Sequence, residues 1–340
     1  SVMKRQGLFL TTLALILGLG VTVGVPATAP AQDLIDPWPD TGPLPRVWTV
    51  PGDAPSLMAA LDAAGPGDVI ELASGRHLVT GSGHALPPGV VIRGVATSPD
   101  LTVIEEGGVP GTYRTEPVFL VDRGSRAHAG ARFEDLTFRN FNQGCYPNIP
   151  TVQPIIQVES GALVLERCVF DQYQGTAARF LGGAGLLEAC VFRGGHGQPT
   201  VVDFQGAHLQ IRDCFVRENT TRRPGDFQDP TDPREASVIK IRSGSVRWSC
   251  NEFCDNGPAS YLVDIDAGAR VEAESCQMSP NALIRDGRVA GTLILTQCSP
   301  IDMDRWDVIP PGEIIVIATD ITGKAAVHNH TLSAVKALFD

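Results

Sequence analysis

The chain has 340 residues, a formal net charge of −11, 43% hydrophobic content and only 6% aromatic residues. Its acidic balance, with no Lys/Arg-rich run, excludes nucleic acid and anionic membrane surfaces as electrostatic partners. The length and apolar fraction suffice for one large core, and a solenoid of this size folds as a single domain.

Lys4 and Arg5 precede an uncharged stretch from Gly7 to Val25, followed by Ala29-Pro30-Ala31 before Gln32. A positive start, an apolar middle and an A-x-A site read as a secretory signal over residues 1–31. The competing reading is an uncleaved anchor, with membrane contact through residues 7–25 alone. In both, the basic start stays cytoplasmic, so the body is expected to be secreted or periplasmic. Residues 32–49 form a Pro-rich lead-in, and residues 50–340 form the folded domain. Ala54 to Ala64 (APSLMAALDAA) has helical apolar spacing and ends at Gly65-Pro66-Gly67. At the head of a solenoid such a helix caps the first coil, whose core and strand edges would otherwise be open. Thr331 to Phe339 is the corresponding segment at the far end.

From Gly130 onward one phrase recurs: a glycine, four to six residues rich in Val, Ile, Leu and Phe, and then a polar turn. Six copies end in cysteine, at Cys168, Cys190, Cys214, Cys250, Cys276 and Cys298. A period of this length in short β-rich phrases points to stacked coils. The predicted fold is all-β: a single right-handed parallel β-helix of about ten coils with an N-terminal capping helix. The right hand follows from the bias of parallel crossovers. Equivalent cysteines then stack inside the cylinder as small buried hydrophobes. In-register positions sit near the strand spacing, wider than a disulfide's Cβ separation. Cys145 and Cys254 stand off this ladder, and Cys250 with Cys254 is a candidate local bridge.

The segment VPGDAPSLMAALDAAGPGDVIELASGRH, beginning at Val50, resembles the opening of the pectin-lyase-like right-handed β-helix proteins, which are mostly secreted enzymes and binders of polysaccharides. The centre of the chain is most similar to pectin methylesterases. Thr151-Val-Gln153, Phe170-Asp-Gln-Tyr173-Gln174-Gly175 and Val202-Asp203-Phe204 run in the order of that family's motifs. The resemblance implies Asp203 as the carboxylate nucleophile and Gln153 and Gln174 as oxyanion donors. The family's second aspartate, the acid that protonates the leaving methanol, falls on Gly175. Asp171 is the nearest substitute, and on a strand-and-turn path it faces another way. The later Gly-Arg-Pro-Trp is not intact either.

Gly195-His196-Gly197 looks like the Gly-His-Gly of polygalacturonases, without the paired aspartates that glycoside hydrolysis needs. Lyase chemistry would use Lys240 as base with Arg242 on the same strand side, and Ca²⁺ as the one cofactor to consider. No zinc spacing, P-loop, G-x-S-x-G or G-x-G-x-x-G is present. Residues 217–235 (RENTTRRPGDFQDPTDPRE) break the period and read as a surface loop. Such loops often wall a binding face, here with Arg222 and Arg223 as sugar contacts or with a protein partner instead. Asn219-Thr220-Thr221 and Asn329-His330-Thr331 match the glycosylation sequon.

Two functions are therefore expected. The first is an exported protein acting on or binding a uronate-type polysaccharide, with a degenerate esterase or lyase site. The other is a non-catalytic periplasmic structural subunit anchored to a membrane complex.

Overall fold

The computed structural model describes residues 44–340 except 108–115, 122–129, 142–152, 197–198, 221–236, 258–260, 279–284, 299–304, 320–324 and 331–340. Each short apolar phrase forms a strand that pairs with its copy one coil away, because the turns bend the chain onward around the cylinder and the full coil of about 22 residues brings it back in the same direction. The product is a right-handed parallel β-helix with a 19-stranded and an 8-stranded sheet. One coil shows the path. Ala178–Phe180, Ala184–Glu188 and Val191–Arg193 follow one another around three faces. They pair in register with Ile156–Val158, Ala162–Glu166 and Val169–Asp171 of the preceding coil. These positions define a first, a second and a third column.

The second column opens at Val47–Val50, which takes in the last three residues of the stretch expected as lead-in, and this strand pairs with Val69–Leu72. It closes at Glu313–Thr319, where Ala325–His330 adds the one antiparallel pairing among the described strands. The helix Leu57–Ala63 follows the opening strand and packs on the first coil. Ser56 caps it by accepting the Ala59 N–H at 3.2 Å, worth about 1 kcal/mol, and Leu57, Ala60 and Leu61 form its buried face.

Stacking dictates the corner residues. The glycine opening each cysteine phrase turns the chain from the first column to the second, where adjacent coils nearly touch. A Cβ on Gly183 would lie 2.2 Å from the Gly161 carbonyl oxygen, and one on Gly244 2.0 Å from that of Gly206. Between the second and third columns one residue per coil takes positive φ, as at Arg167 (52°), Ala189 (52°) and Asp213 (54°), and its successor turns inward. Leu136, Cys168, Cys190, Cys214 and Cys276 fill that inward position, all buried. The thiols face carbonyls of the coil before: Cys168 Sγ to Phe133 O at 3.4 Å, Cys190 Sγ to Leu165 O at 3.4 Å and Cys214 Sγ to Leu187 O at 3.5 Å.

One member of the ladder departs from the sequence expectation. Cys250 occupies the positive-φ corner (52°) and is exposed, while Asn251 takes the inward place. Its Nδ2 donates to Ile211 O at 2.7 Å, doing what the thiols do, and its Oδ1 accepts the Cys214 N–H at 2.9 Å. The cause is length: from glycine to cysteine the phrase Gly244–Cys250 is one residue shorter than Gly161–Cys168. The Cys250–Cys254 bridge is not formed. The extended strand Glu252–Cys254 separates the two, and all described cysteines are free.

In the third column Phe138, Phe170 and Phe192 stack with centroids 4.6 and 5.1 Å apart and planes 16° and 14° from parallel. Each is fully buried and contributes on the order of 1.5–3 kcal/mol through burial alone.

Candidate functional site

The first column carries a second repeated phrase: two inward or corner residues, one outward residue, one inward residue. It reads Ile155-Ile-Gln-Val158, Ala177-Ala-Arg-Phe180, Val201-Val-Asp-Phe204, Val238-Ile-Lys-Ile241 and Leu262-Val-Asp-Ile265, then Asp286-Gly-Arg-Val289 and Arg305-Trp-Asp-Val308. Parallel register lines the outward residues into one row: Gln157, Arg179, Asp203, Lys240, Asp264, Arg288 and Asp307. From Arg179 onward the charge alternates at every coil.

The row is knitted together and largely covered. Asp203 and Lys240 are each 5% exposed and Asp264 only 1%. Arg242 clamps Asp203 through Nε at 2.6 Å and Nη2 at 3.3 Å, with Arg179 Nε at 3.4 Å from the same carboxylate. Lys240 Nζ donates to Asp264 at 2.7 Å and to Asp266 at 2.6 Å. Arg288 forks onto Asp264 with contacts of 2.7 and 2.6 Å. Tyr261 O–H donates to Asp307 at 3.1 Å. Burial and this aspartate push the Tyr261 phenol above its ordinary range, so it serves as a donor and not as a base.

Of the sequence-predicted residues, Asp203, Lys240 and Arg242 therefore share one face. Gln174 and His196 stand elsewhere, on a column of isolated bridges, Gln174 to His196 to Thr220, at the corner ahead of the first column. Gln153 lies at the entry to the strand Ile156–Val158 and is half-buried. Arg222, Arg223 and residues 221–235 of the loop lie outside the described residues, as do the N-terminal segment and Thr331 to Phe339. Gly175, where the family's acid would stand, has φ 90° and donates its N–H to His196 O at 2.6 Å. Any side chain there would be strained.

The glycine before His196 has a steric reason of its own. Gly195 faces inward, and a Cβ there would lie 2.5 Å from the Tyr173 ring. Its N–H donates to Asn219 Oδ1 at 3.1 Å. Asn219 is fully buried, with Nδ2 donating to Phe192 O, Arg217 O and Asn256 Oδ1 at 2.9, 2.9 and 3.1 Å. This amide has no room for a glycan, so the Asn219 sequon is a structural motif.

Asp171 projects from the third column, away from Asp203, between Arg139 and Arg193, each with Nε 3.0 Å from it. Desolvation alone would raise its pKa. The hydrogen bonds and charges of Arg193 and then Arg139 outweigh that and hold the carboxyl below its ordinary range. It stays ionised and has no proton to give at neutral pH. A depressed carboxyl adds stability above its unfolded pKa of about 4, which is lost as pH falls through the folded value. Asp171→Asn is expected to flatten the acid limb of melting temperature against pH below about pH 4. An unaltered limb would mean that the two arginines contribute nothing through it.

No protein-family model and no curated protein matches the chain. Solved structures do. An ORF18 product of Geobacillus virus E2 is 12% identical with a TM-score of 0.44, over 82% of this chain and 60% of that one. A tailspike protein of Acinetobacter phage vB_ApiP_P1 is 14% identical with a TM-score of 0.40, over 82% and 56%. A polysaccharide lyase of Pseudopedobacter saltans is 11% identical with a TM-score of 0.30, over 87% and 90%. The chain thus spans less than two thirds of the two viral proteins. At such scores the likenesses say nothing of individual residues or ligands.

Proposed function

We propose that this is an exported β-helix protein that binds a uronate-containing polysaccharide along the first-column face, with Arg222 and Arg223 as further sugar contacts. The expected loop 217–235 begins only after Thr220, since Arg217 ends a strand and Asn219 is buried in the coil. The observation that carries this reading is the row from Gln157 to Asp307, one polar side chain per coil at the strand spacing of about 4.8 Å, whose accessible edge is formed by the partly exposed Arg179, Arg242 and Arg288. A repeating row of polar groups suits a repeating polymer. Side chains already fixed by ion pairs lose little further entropy when the polymer is laid on them. The likeness of the segment beginning at Val50 to the pectin-lyase-like proteins supplies the ligand class.

Binding is better supported than turnover. Ester hydrolysis would use Asp203 as nucleophile, and the arginine contacts to both its oxygens draw charge from it, while Gly175 stands where the acid for the leaving methanol would be. Lyase chemistry would need Lys240 free to take a proton, and its ammonium is shared by two carboxylates. Those carboxylates do not suit a calcium ion, since Asp264 and Asp266 already hold Lys240, and Arg288 forks onto Asp264.

The test is a panel of polygalacturonan, methylated pectin, alginate and chondroitin, with and without Ca²⁺. Saturable binding without products is the expected result. Release of methanol or of unsaturated ends would replace it with an esterase or a lyase. Silence would leave the second reading, a periplasmic structural subunit anchored through residues 7–25. One observation favours that reading: every charge of the row from Arg179 to Arg288 is neutralised within the chain. Gln32 at the mature N-terminus, by mass spectrometry, would remove the anchor.

A further inference from the structure

The cysteine ladder is not uniform in its access to solvent. Cys168, Cys190 and Cys214 are fully buried, whereas Cys298 is only partly so and stacks on Cys276 of the preceding coil. The strands ahead of them, Arg270–Glu274 and Thr292–Thr296, pair in register to their last residues, Glu274 with Thr296. Cys276 and Cys298 each follow two residues later through the same corner, with φ 53° at Ser275 and 54° at Gln297. Their sulfurs take the same pose: Cys276 Sγ is 3.5 Å from Glu274 O and Cys298 Sγ is 3.5 Å from Thr296 O. Cys298 Sγ also reaches Ala273 O, on the coil of Cys276, at 3.5 Å.

We infer that Cys276 and Cys298 are a redox-active dithiol that closes to a disulfide between adjacent coils. Stacked Cα atoms about 4.8 Å apart fall within the range of about 4.4–6.8 Å that disulfides span, and the Cβ atoms, wider apart at rest than a disulfide holds them, must draw together by up to about 1 Å at this partly exposed corner. The neighbouring Cys276 thiol is the main cause that brings the Cys298 thiol down to about 7, which favours its thiolate as the attacking group. A low-molecular-weight disulfide such as oxidised glutathione is the oxidant. The Cys298 thiolate attacks one of its sulfurs, and the other leaves as a thiolate carrying the electron pair of the broken bond. Cys276 gives its proton to solvent and attacks Cys298 Sγ, expelling the second glutathione thiolate. Two cysteines are oxidised and one glutathione disulfide is reduced to two thiols.

The experiment is a peptide map of the folded full-length chain, by mass spectrometry, after incubation with oxidised glutathione. The expected result is a crosslink between the peptides of Cys276 and Cys298, reversed by dithiothreitol, with Cys168, Cys190 and Cys214 unmodified. Cys276→Ser is expected to trap a glutathione adduct on Cys298. Exposed Cys250 acts as the internal control that the oxidant has reacted. Modified Cys250 without the 276–298 crosslink would overturn the inference. So would an unmodified Cys298 in the Cys276→Ser chain, or an adduct on Cys298 that persists when Cys276 is present.

Discussion

Asp264→Ala is expected to destabilise the protein by about 3–5 kcal/mol, the usual penalty for removing one partner of a buried ion pair. The Asp264 carboxylate is 1% exposed and is the shared acceptor of Lys240 at 2.7 Å and Arg288 at 2.6 Å. Without it, Lys240, whose side chain is 7% exposed, keeps only Asp266. Its charge then lies in the sheet face with half its compensation gone. Replacing Lys240, Asp264 and Arg288 together by apolar residues of similar volume should lose far less, because desolvation of a buried cluster offsets most of its attraction. Denaturant unfolding of the single and triple variants decides the matter. A single variant within about 1 kcal/mol of the parent would mean that water reaches the cluster, and the row would then not be the fixed surface described above.

The coils were legible in the sequence because stacking leaves its mark on the residues that do the stacking. At Gly183 and Gly244 the corner glycine is demanded by a neighbouring carbonyl oxygen about 2 Å from where its Cβ would be, and the small inward thiol by the space behind the turn. Both recur in most coils and so show as a period. Asn251 escaped because it fills a thiol's place through different chemistry, and because a phrase one residue short put a cysteine next to it. The charged row escaped for another reason. Its information lies in alternation between coils, at positions that change sign from one copy to the next, and such a pattern has no meaning until the register joins Asp203 to Arg179 and Lys240. Seen alone, Val202-Asp203-Phe204 matched an esterase motif; seen in register it is one copy of a phrase found in every coil of that face. Gly195 likewise invited a catalytic reading, although its lack of a side chain is explained by the Tyr173 ring.

The last consequence separates a binding face from a catalytic one by the sign of two substitutions. Arg242 is the more open arm of the Asp203 clamp, with its side chain 38% exposed against 7% for Asp203. A uronate carboxylate arriving on this face would compete with Asp203 for that guanidinium. Arg242→Ala should therefore weaken binding by about 10- to 150-fold, the equivalent of one charge-assisted hydrogen bond of about 1.5–3 kcal/mol. Asp203→Asn should do the opposite. It keeps the side chain's shape and one accepting oxygen while removing the resident anion, so Arg242 and Arg179 turn to the polymer and affinity rises. The gain should fade with added salt, since it rests on partly exposed charges. A carboxylate nucleophile predicts something different, because Asp203→Asn would then end product release whatever it did to affinity. Titrating both variants and the parent with polygalacturonan and alginate at low and high salt distinguishes the cases. Tighter binding by Asp203→Asn and weaker binding by Arg242→Ala would place the polymer on the row, and equal affinities in all three would move it off this face.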